Sequence, residues 1–375
     1  MRYVSLEMAH SIEKWYTEDK AFYDYVNGLG LECLYKVGKA FNDQSIKDWV
    51  RNRFELFFEK DGSIKGYDLN EFSMDQISPG KVFFDFYAET GDKKYKDLLD
   101  LFYSQLMKQP RTPSGGFWHK QIYPNQMWLD GLYMQGSFYV RYASLYGDLK
   151  KCLDDLVYQF ELIYKHTAID DNGLLRHAWD ESKAMAWADK ETGVSKCVWG
   201  RAMGWYVMAL VDVLDYIPDS EEYKDYRDRM IKLASSLVAP IMNVQDSESG
   251  LWYQVMDRGK TGKNYLESSS SSMFVYFLAK MYRKGYMKDI KLREAAEKGY
   301  NGLVNLKISK DENGLLHLND ICRGAGLGKY YPECPFRDGT FEYYTEREPI
   351  VTDNLQGVGP FLLACLEIEV PDKLK

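Results

Sequence analysis

The chain has 375 residues, of which 45% are hydrophobic and 28% are charged, and this balance excludes an extensively disordered protein. Its formal net charge of −8 argues against nucleic acid as a partner, because the basic surface that phosphate contacts require is missing. No stretch approaches the ~20 apolar residues of a membrane span, so we expect no membrane partner.

The N-terminal segment and the cysteines predict a cytoplasmic protein. Residues 1–20 carry charges where a signal peptide would need an uninterrupted apolar core. No two cysteines form a CxxC pair, and their scatter is typical of reduced, mostly buried thiols. The six are Cys33, Cys152, Cys197, Cys322, Cys334 and Cys365.

Two kinds of chain break alternate along the sequence, and each interval between them is long enough for one helix. Polar turns lie at Asp43, Gly91, Gly147, Pro218 and Gly285. Glycine turns, followed in all but the first case by an apolar or aromatic pair, lie at Gly62, Gly116, Gly173, Gly250 and Gly314. The glycine turns recur every 54 to 77 residues, a period typical of helical-hairpin arrays or slightly above it.

The intervals after polar turns are amphipathic, whereas those after glycine turns are apolar on nearly every side. Between residues 92 and 107 one apolar stripe recurs at i, i+3, i+4, i+7 and i+11, as on a solvent-facing helix. It consists of Tyr95, Leu98, Leu99, Phe102 and Leu106. The segment GRAMGWYVMALVDVL, by contrast, predicts a helix buried on all sides.

Six buried helices are predicted, within residues 20–43, 62–91, 116–147, 173–218, 250–285 and 314 to the end. They alternate with six amphipathic helices if the N-terminal segment supplies the first. No alternating strand pattern competes with this arrangement. The sequence therefore predicts an all-α (α/α)6 barrel, a six-hairpin toroid that forms one domain over residues 1–375.

In such a barrel the glycine turns share one rim and lead into the N-termini of the buried helices. Free N–H groups and the helix dipole favour negative charge there, so we expect an anionic sugar at this rim. Three of the five histidines, His119, His177 and His317, follow a glycine turn within four residues. This clustering favours function for His119 and His177 over a buried structural role, and His317 stays open between the two. No histidine has zinc-ligand spacing, so no metal site is expected.

The segment SGGFWHKQIYPNQMWLD, residues 114–130, combines aromatic rings with a carboxylate, a composition typical of a carbohydrate site. Pro124 fits the first turn of a buried helix, which would put Asp130 about two turns into it. An unpaired carboxylate in apolar surroundings favours its protonated form, as a general acid requires. A structural Asp hydrogen-bonded to a neighbouring loop is the alternative.

Two further segments carry candidate polar groups. Asp75 precedes Ser78-Pro79, which marks the start of the second buried helix, and is either an active-site carboxylate or a turn-capping residue. Arg201 lies between Trp199 and Trp205 at the start of the fourth buried helix. It could bind a carboxylate bidentately or close a structural salt bridge. We interpret the serine tract of residues 266–272 as a helix-capping loop.

Over nearly its whole length the chain resembles the unsaturated rhamnogalacturonyl hydrolases of glycoside hydrolase family 105. The long match is GGFWHKQIYPNQMWLDGLYM (115–134). Shorter ones are YDYVNG (23–28), MDQISPG (74–80), RHAWD (176–180), WGRAMGWYV (199–207) and GVGPFLLA (357–364). The resemblance implies the (α/α)6 fold.

The resemblance also implies roles for individual residues. Asp130 would be the catalytic acid/base and Asp75 the second active-site carboxylate. The pocket would be lined by His119, Lys120, His177, Trp199, Arg201 and Tyr25, although the first motif has Tyr23 where tryptophan is commoner. Residues 320–350 would enclose the substrate.

The implied substrate is a small oligosaccharide from a pectin lyase, in which a sugar acid with a C4=C5 double bond is linked to rhamnose. The enzyme would hydrate this enol ether, with no metal or organic cofactor. The alternatives are an unsaturated glucuronyl hydrolase acting on glycosaminoglycan fragments, which would want more Lys and Arg near the glycine turns, and a non-catalytic sugar-binding toroid. A sugar epimerase working with His119 and His177 is a third.

Overall fold

The computed structural model describes residues 3–169, 171–329 and 335–374, and these contain twelve α-helices in the predicted alternation. The outer helices are α1 (Val4–Trp15), α3 (Gln44–Glu55), α5 (Lys93–Lys108), α7 (Leu149–Thr167), α9 (Lys224–Asn243) and α11 (Ile290–Leu306). The inner helices are α2 (Tyr25–Phe41), α4 (Phe83–Thr90), α6 (Leu129–Tyr146), α8 (Gly200–Val213), α10 (Ser268–Arg283) and α12 (Leu355–Glu369). The predicted (α/α)6 toroid is confirmed.

The inner helices form a closed ring. Helix α6 packs on α8, α8 on α10, α10 on α12, and α12 returns to α2. The ring is completed by a 3₁₀ helix, Ser78–Val82, which leads into α4 and contacts both α2 and α6. All fourteen residues of α8 are buried, as its apolar sequence predicts. The predicted stripe of α5 from Tyr95 to Leu106 is likewise buried.

Aspartates at the polar turns fix where the outer helices begin. Asp43, Asp92, Asp148 and Asp289 precede α3, α5, α7 and α11, and each side chain accepts a hydrogen bond from a backbone N–H of the first turn. A cap of this kind stabilises a helix by about 1 kcal/mol. The turns therefore set the hairpin register that alternates outer and inner helices.

Three two-stranded antiparallel ribbons lie in the connecting segments, contrary to the expectation that strands are absent. They pair β1 (Gln126–Trp128) with β2 (Ala178–Asp180), β3 (Ile308–Lys310) with β4 (Leu316–Leu318), and β5 (Ile321–Cys322) with β6 (Ile350–Val351). Strands of two or three residues are too short to leave an alternating sequence pattern. They form because the loop backbone needs hydrogen-bond partners.

Two sequence-based boundaries need correction. Helix α6 begins at Leu129, so Asp130 lies in its first turn rather than two turns in. The preceding residues are held extended because β1 pairs with β2. Helix α10 begins at Ser268, which places the serines inside the helix, and Glu267 provides the cap. The predicted helix start at Ser78-Pro79 is correct.

The described residues show the helices and five of the six cysteines. Over these ranges no helix combines the length and the apolarity that crossing a bilayer requires. Five cysteines are free and buried. The sixth, Cys334, lies outside the described residues.

Candidate active site

A cavity of about 570 Å³ opens at the glycine-turn rim, beside the N-terminus of α6. One side, here called the carboxylate wall, is formed by Tyr25, Asp75, His119, Lys120, Tyr123, Trp128, Asp130 and Met134. The rest of the lining, the loop wall, is formed by residues 323–326, 335–337 and 347–349 with Tyr343. Five of the eight predicted site residues thus lie on a single wall. The loop wall falls within residues 320–350, whose enclosure of a substrate stays a prediction.

The β1–β2 ribbon brings Asp130 and His177 together. Leu129 N–H donates to the His177 carbonyl oxygen over 3.1 Å, immediately after the paired strands. As a result His177 Nε2 lies 3.3 Å from Asp130 Oδ2. The other ring nitrogen, Nδ1, lies 2.8 Å from the Tyr344 hydroxyl, whose pKa burial raises well above its usual value. Because the Tyr344 hydroxyl stays protonated, it can hold the imidazole in position against Asp130.

Asp75 reaches the same wall from the preceding glycine-turn loop. Met74 N–H donates to the His119 carbonyl oxygen, and His119 N–H donates to Gln126, so the two loops are joined by backbone hydrogen bonds. Lys120 Nζ lies 2.5 Å from Asp75 Oδ2 and His119 Nε2 lies 3.4 Å from Oδ1. Burial raises the pKa of Asp75, but Lys120 and His119 overcome that effect and hold it below the usual value. Asp75 is therefore a carboxylate at neutral pH.

The surroundings of His119 favour its neutral form over the charged one. Burial lowers its pKa below the usual value, although Asp75 opposes the shift. Its ring packs nearly parallel to Trp128, with the ring centroids 4.9 Å apart, and Trp128 is stacked on Tyr123 at 4.7 Å. A side chain on Gly131 would place its Cβ 3.2 Å from His119 Nδ1, so glycine next to Asp130 permits this close packing. The wall thus offers aromatic surface beside two carboxylates, as sugar binding requires.

The charges of both carboxylates, Asp75 and Asp130, act on the hydroxyl group of Tyr25. Burial and then Asp75 raise its pKa well above the usual value, and Asp130 adds to the shift. Its hydroxyl accepts a hydrogen bond of 2.8 Å from Gln356 Nε2. The Tyr25 proton is therefore retained and free to be donated to a ligand or to a carboxylate.

The structure places three predicted pocket residues behind the carboxylate wall rather than on it. The side chains of His177 and Arg201 are 0% exposed, and Trp199 is 2% exposed. Arg201 donates from Nε to Ser269 Oγ over 2.8 Å and from Nη2 to the Cys322 carbonyl oxygen. Glu267 Oε1 lies 3.6 Å from the same Nη2. Arg201 forms the structural ion pair, which ties α8 to the strand that leads into the loop wall. Its buried Nη1 has no hydrogen-bond partner within the described residues, so the predicted binding of a carboxylate stays a prediction.

Sequence reasoning missed the polar groups of the loop wall and of α12. Arg323, Arg337, Arg347 and Glu348 all line the cavity, and Gln356 contacts it from the start of α12. Glu348 is thus a third carboxyl group in the cavity, and burial raises its pKa. Gln356 immediately precedes the GVGPFLLA segment, and that position was the available signal. The irregular sequence of residues 320–350 gave none for the others.

The arrangement separates two carboxyl environments on one wall. Asp75 is fixed as an anion by a lysine, whereas Asp130 faces a histidine and aromatic rings with no hydrogen bond to Oδ2 within the described residues. Such a pair can hold a sugar hydroxyl with one group and transfer a proton with the other. Within residues 3–169, 171–329 and 335–374, no three His, Cys, Asp or Glu side chains converge in a way that could hold a metal ion.

Comparison with known proteins gives consistent matches along the chain. The family described as Glycosyl Hydrolase Family 88 matches residues 2–370. A solved family 105 glycoside hydrolase of C. acetobutylicum ATCC 824 is 42% identical, with a TM-score of 0.91 over 98% of this chain and 99% of that one. A 24.9 kDa protein in picA locus of Rhizobium radiobacter is 35% identical over 61% of this chain and 96% of its own length. An unsaturated rhamnogalacturonyl hydrolase of Bacillus subtilis (strain 168) is 26% identical over 72% of this chain and 74% of its own.

Proposed function

The chain belongs to glycoside hydrolase family 105, within the superfamily of families 88 and 105 that hydrolyses unsaturated uronyl residues, and from this we propose its substrate and mechanism. It removes the 4,5-unsaturated galacturonyl residue from the non-reducing end of rhamnogalacturonan oligosaccharides. The choice of rhamnogalacturonan is supported by the Bacillus subtilis relative, which carries that activity in its name. The observation that carries the reaction type is the pair of unlike carboxyl groups, Asp75 and Asp130, on one cavity wall.

Asp130 acts as the general acid and then as the general base. The unsaturated ring contains an enol ether, whose electron-rich C4 takes the proton from Asp130. Positive charge then develops on C5 and the ring oxygen, and water adds at C5 as the Asp130 carboxylate removes its proton. The resulting hemiketal opens to a ketone at C5 and leaves a hemiacetal at C1, which collapses to the aldehyde and releases the aglycone as an alcohol. Proton transfer of this kind contributes roughly 10²–10⁴-fold to the rate.

Asp75 accepts hydrogen bonds from sugar hydroxyls and places its negative charge near the reacting ring. Lys120 and His119 keep it ionised, so it does not compete for the proton-donor role. Tyr25 lies on the same wall and donates a hydrogen bond to the sugar through its hydroxyl group. Its oxygen already accepts a hydrogen bond from Gln356. Tyr123 and Trp128 pack against the apolar face of the sugar.

Three buried side chains position residues of the cavity lining. They belong to His177, Trp199 and Arg201. His177 orients Asp130 and is itself oriented by Tyr344. Trp199 packs beside His177, with the ring centroids 4.7 Å apart. Arg201 anchors the strand that leads into the loop wall.

The test is a side-by-side assay of oligosaccharides made by lyases from rhamnogalacturonan, plain pectate and chondroitin. Loss of the ultraviolet absorbance of the conjugated double bond measures hydration directly. We expect the highest kcat/KM on the rhamnogalacturonan products, with the Asp130→Asn variant as the inactive baseline. Faster turnover of the pectate or chondroitin products would contradict the proposed substrate.

A further inference from the structure

The residues that line the cavity differ in exposure, and we use this difference to orient an oligosaccharide. Asp130 is 8% exposed and His119 and Trp128 are similarly buried. Arg323, Arg347 and Pro349 of the loop wall are exposed. If Asp130 reacts with the terminal sugar, that sugar occupies the buried end, and the remaining sugars run outward along the loop wall.

The three arginines of the loop wall differ in the hydrogen-bond and ion-pair partners of their guanidinium groups. Arg347 Nη2 lies 2.5 Å from Asp338 Oδ1. Arg337 donates to the carbonyl oxygens of Gly328 and Leu327 and to the Tyr123 hydroxyl. Arg323, by contrast, has no hydrogen bond or ion pair through its side chain within the part of the chain that the structure describes. Its guanidinium is thus available to a ligand.

The backbone of Arg323 is held firmly although its side chain is exposed. Arg323 N–H donates to the Pro349 carbonyl oxygen over 2.8 Å, directly after the β5–β6 ribbon. Two further hydrogen bonds hold the preceding residue, Cys322. Its N–H donates to Glu267 Oε1, and its carbonyl oxygen accepts from Arg201. The point from which the Arg323 side chain projects is thus fixed, and its planar guanidinium can pair with both oxygens of a carboxylate.

The charges around Arg323 favour an anionic group at this end. Among the described residues that line the cavity on this wall, three arginines, Arg323, Arg337 and Arg347, accompany a single carboxylate, Glu348, and Arg347 is paired with Asp338 outside the lining. Burial raises the pKa of Glu348, while a hydrogen bond from Tyr343 and the charges of Arg323 and Arg337 oppose that shift. The carboxylate wall has no such excess of cations, because its Lys120 is paired with Asp75. An acidic sugar in the outer part is therefore drawn to the arginine side.

We propose that Arg323 is a specificity-determining residue that binds the carboxylate of the second uronic acid in the chain, beyond the rhamnose next to the cleaved bond. This inference rests on the proposed function, because the alternation of rhamnose and uronate puts a carboxylate there. The carboxylate of the reacting sugar is the other anionic group that Arg323 could meet. Substrates with and without the second uronate distinguish the two sources.

The experiment compares an unsaturated uronyl-rhamnose disaccharide with the tetrasaccharide that adds one further uronate and rhamnose. In wild-type protein we expect the tetrasaccharide to have the higher kcat/KM. The Arg323→Gln variant should lose about 5-fold on the tetrasaccharide, chiefly through KM, because an exposed ion pair far from the reacting carbon contributes binding equally to ground and transition states. Its kcat/KM on the disaccharide should be unchanged.

Three controls make the result specific. Arg293→Gln removes an exposed arginine of α11 that pairs only with Glu297 among the described residues, and it should change neither substrate. Arg323→Lys keeps the charge without the planar fork and should recover part of the tetrasaccharide preference. Raising the salt concentration should reduce that preference in wild type but not in Arg323→Gln.

Each remaining outcome overturns the inference. An equal loss on both substrates would mean that Arg323 binds the reacting sugar, and no loss on either would mean that it binds neither carboxylate. If wild-type protein hydrolyses neither oligosaccharide, the proposed function itself fails. That failure is distinguishable because it is visible before any variant is made.

Discussion

Lys120 Nζ and Asp75 Oδ2 lie 2.5 Å apart on the carboxylate wall, so the second carboxylate of the cavity is already ion-paired in the absence of sugar. Both side chains are largely buried, which makes the pair less sensitive to salt than a surface pair. The consequence is a division of labour between Asp75 and Asp130. A carboxylate stabilised in this way is a poor proton donor, which supports the proposal that Asp130 is the donor.

Replacing Lys120 by methionine should shift the acid limb of the pH profile to higher pH. Burial raises the pKa of Asp75, and Lys120 is the largest of the effects that lower it. Without Lys120 a smaller fraction of Asp75 is ionised at a given pH, so kcat/KM falls at a higher pH than in wild type. The profile is measured by the loss of double-bond absorbance. Lys93→Met, which removes an exposed lysine of α5, is the control, and an unmoved acid limb would show that Asp75 does not need its charge.

The Asp130→Asn variant should fold and bind oligosaccharide while losing most turnover. Asparagine preserves the shape of the side chain but can neither donate the proton nor accept it from water, so the expected loss is roughly 10²–10⁴-fold in kcat. Affinity for an unreacted oligosaccharide is measured by calorimetry on the same preparation. Turnover close to wild type would remove Asp130 from the mechanism.

The toroid itself could be predicted because its information is local and repeated. Asp43 and Asp92 end one hairpin and cap the next helix, and the stripe from Tyr95 to Leu106 shows which face of α5 is buried. Each of these signals depends on neighbouring residues only. The closure of the ring by α12 against α2 then follows from counting hairpins.

The interior of the site depended on contacts between distant segments. Asp130 lies at the start of α6 because β1 pairs with β2 some fifty residues later, and no local pattern encodes a three-residue strand. The contacts of Arg201 with Glu267 and the Cys322 carbonyl oxygen join segments far apart in sequence. Arg323 and Glu348 line the same cavity because β5 pairs with β6. These are relations of tertiary structure, and the sequence signals them only through resemblance.

Glu348→Gln tests whether the third carboxyl group of the cavity supplies the proton. Burial raises its pKa, so it has one property of a general acid, but it lies on the loop wall, whereas Asp130 lies on the carboxylate wall. If Asp130 is the donor, Glu348→Gln should keep kcat within a few-fold of wild type. A loss as large as that of Asp130→Asn would transfer the acid role to Glu348.

Lys280→Met should destabilise the protein strongly. Lys280 Nζ lies 2.7 Å from Asp212 Oδ1 and 2.7 Å from Asp215 Oδ2, and the lysine side chain is only 4% exposed. Removing one partner leaves a buried charge uncompensated, which typically costs 3–5 kcal/mol. Urea unfolding measures the loss, with Lys93→Met as the exposed-pair control expected to cost less than about 1 kcal/mol. Equal effects of the two substitutions would mean that the buried pair contributes no more than a surface pair.

His317 should make the stability of the α12 start depend on pH. Its Nδ1 lies 2.5 Å from Asp353 Oδ2 and its Nε2 lies 3.7 Å from Asp311, and the hydrogen bond to Asp353 is the main reason that its pKa is raised. Asp353 immediately precedes Asn354, which caps α12. Because the folded-state pKa lies above the unfolded value of about 6.5, the stabilisation is complete below that value. It is lost as the pH rises through the folded-state pKa.

The His317→Asn variant keeps a hydrogen-bond donor near the Nδ1 position but cannot titrate. The difference in unfolding free energy between wild type and His317→Asn should be largest at pH 6 and should shrink toward pH 9. His166 provides a control of opposite sign, because burial lowers its pKa and favours the neutral ring that stacks on Trp179. The stabilisation by His166 is present above about pH 6.5 and is lost as the pH falls. Urea unfolding of wild type and both variants from pH 5 to 9 gives the difference in unfolding free energy for each histidine. This difference should fall with pH for His317→Asn and rise with pH for His166→Asn. Parallel slopes would contradict the opposite pKa shifts of the two histidines.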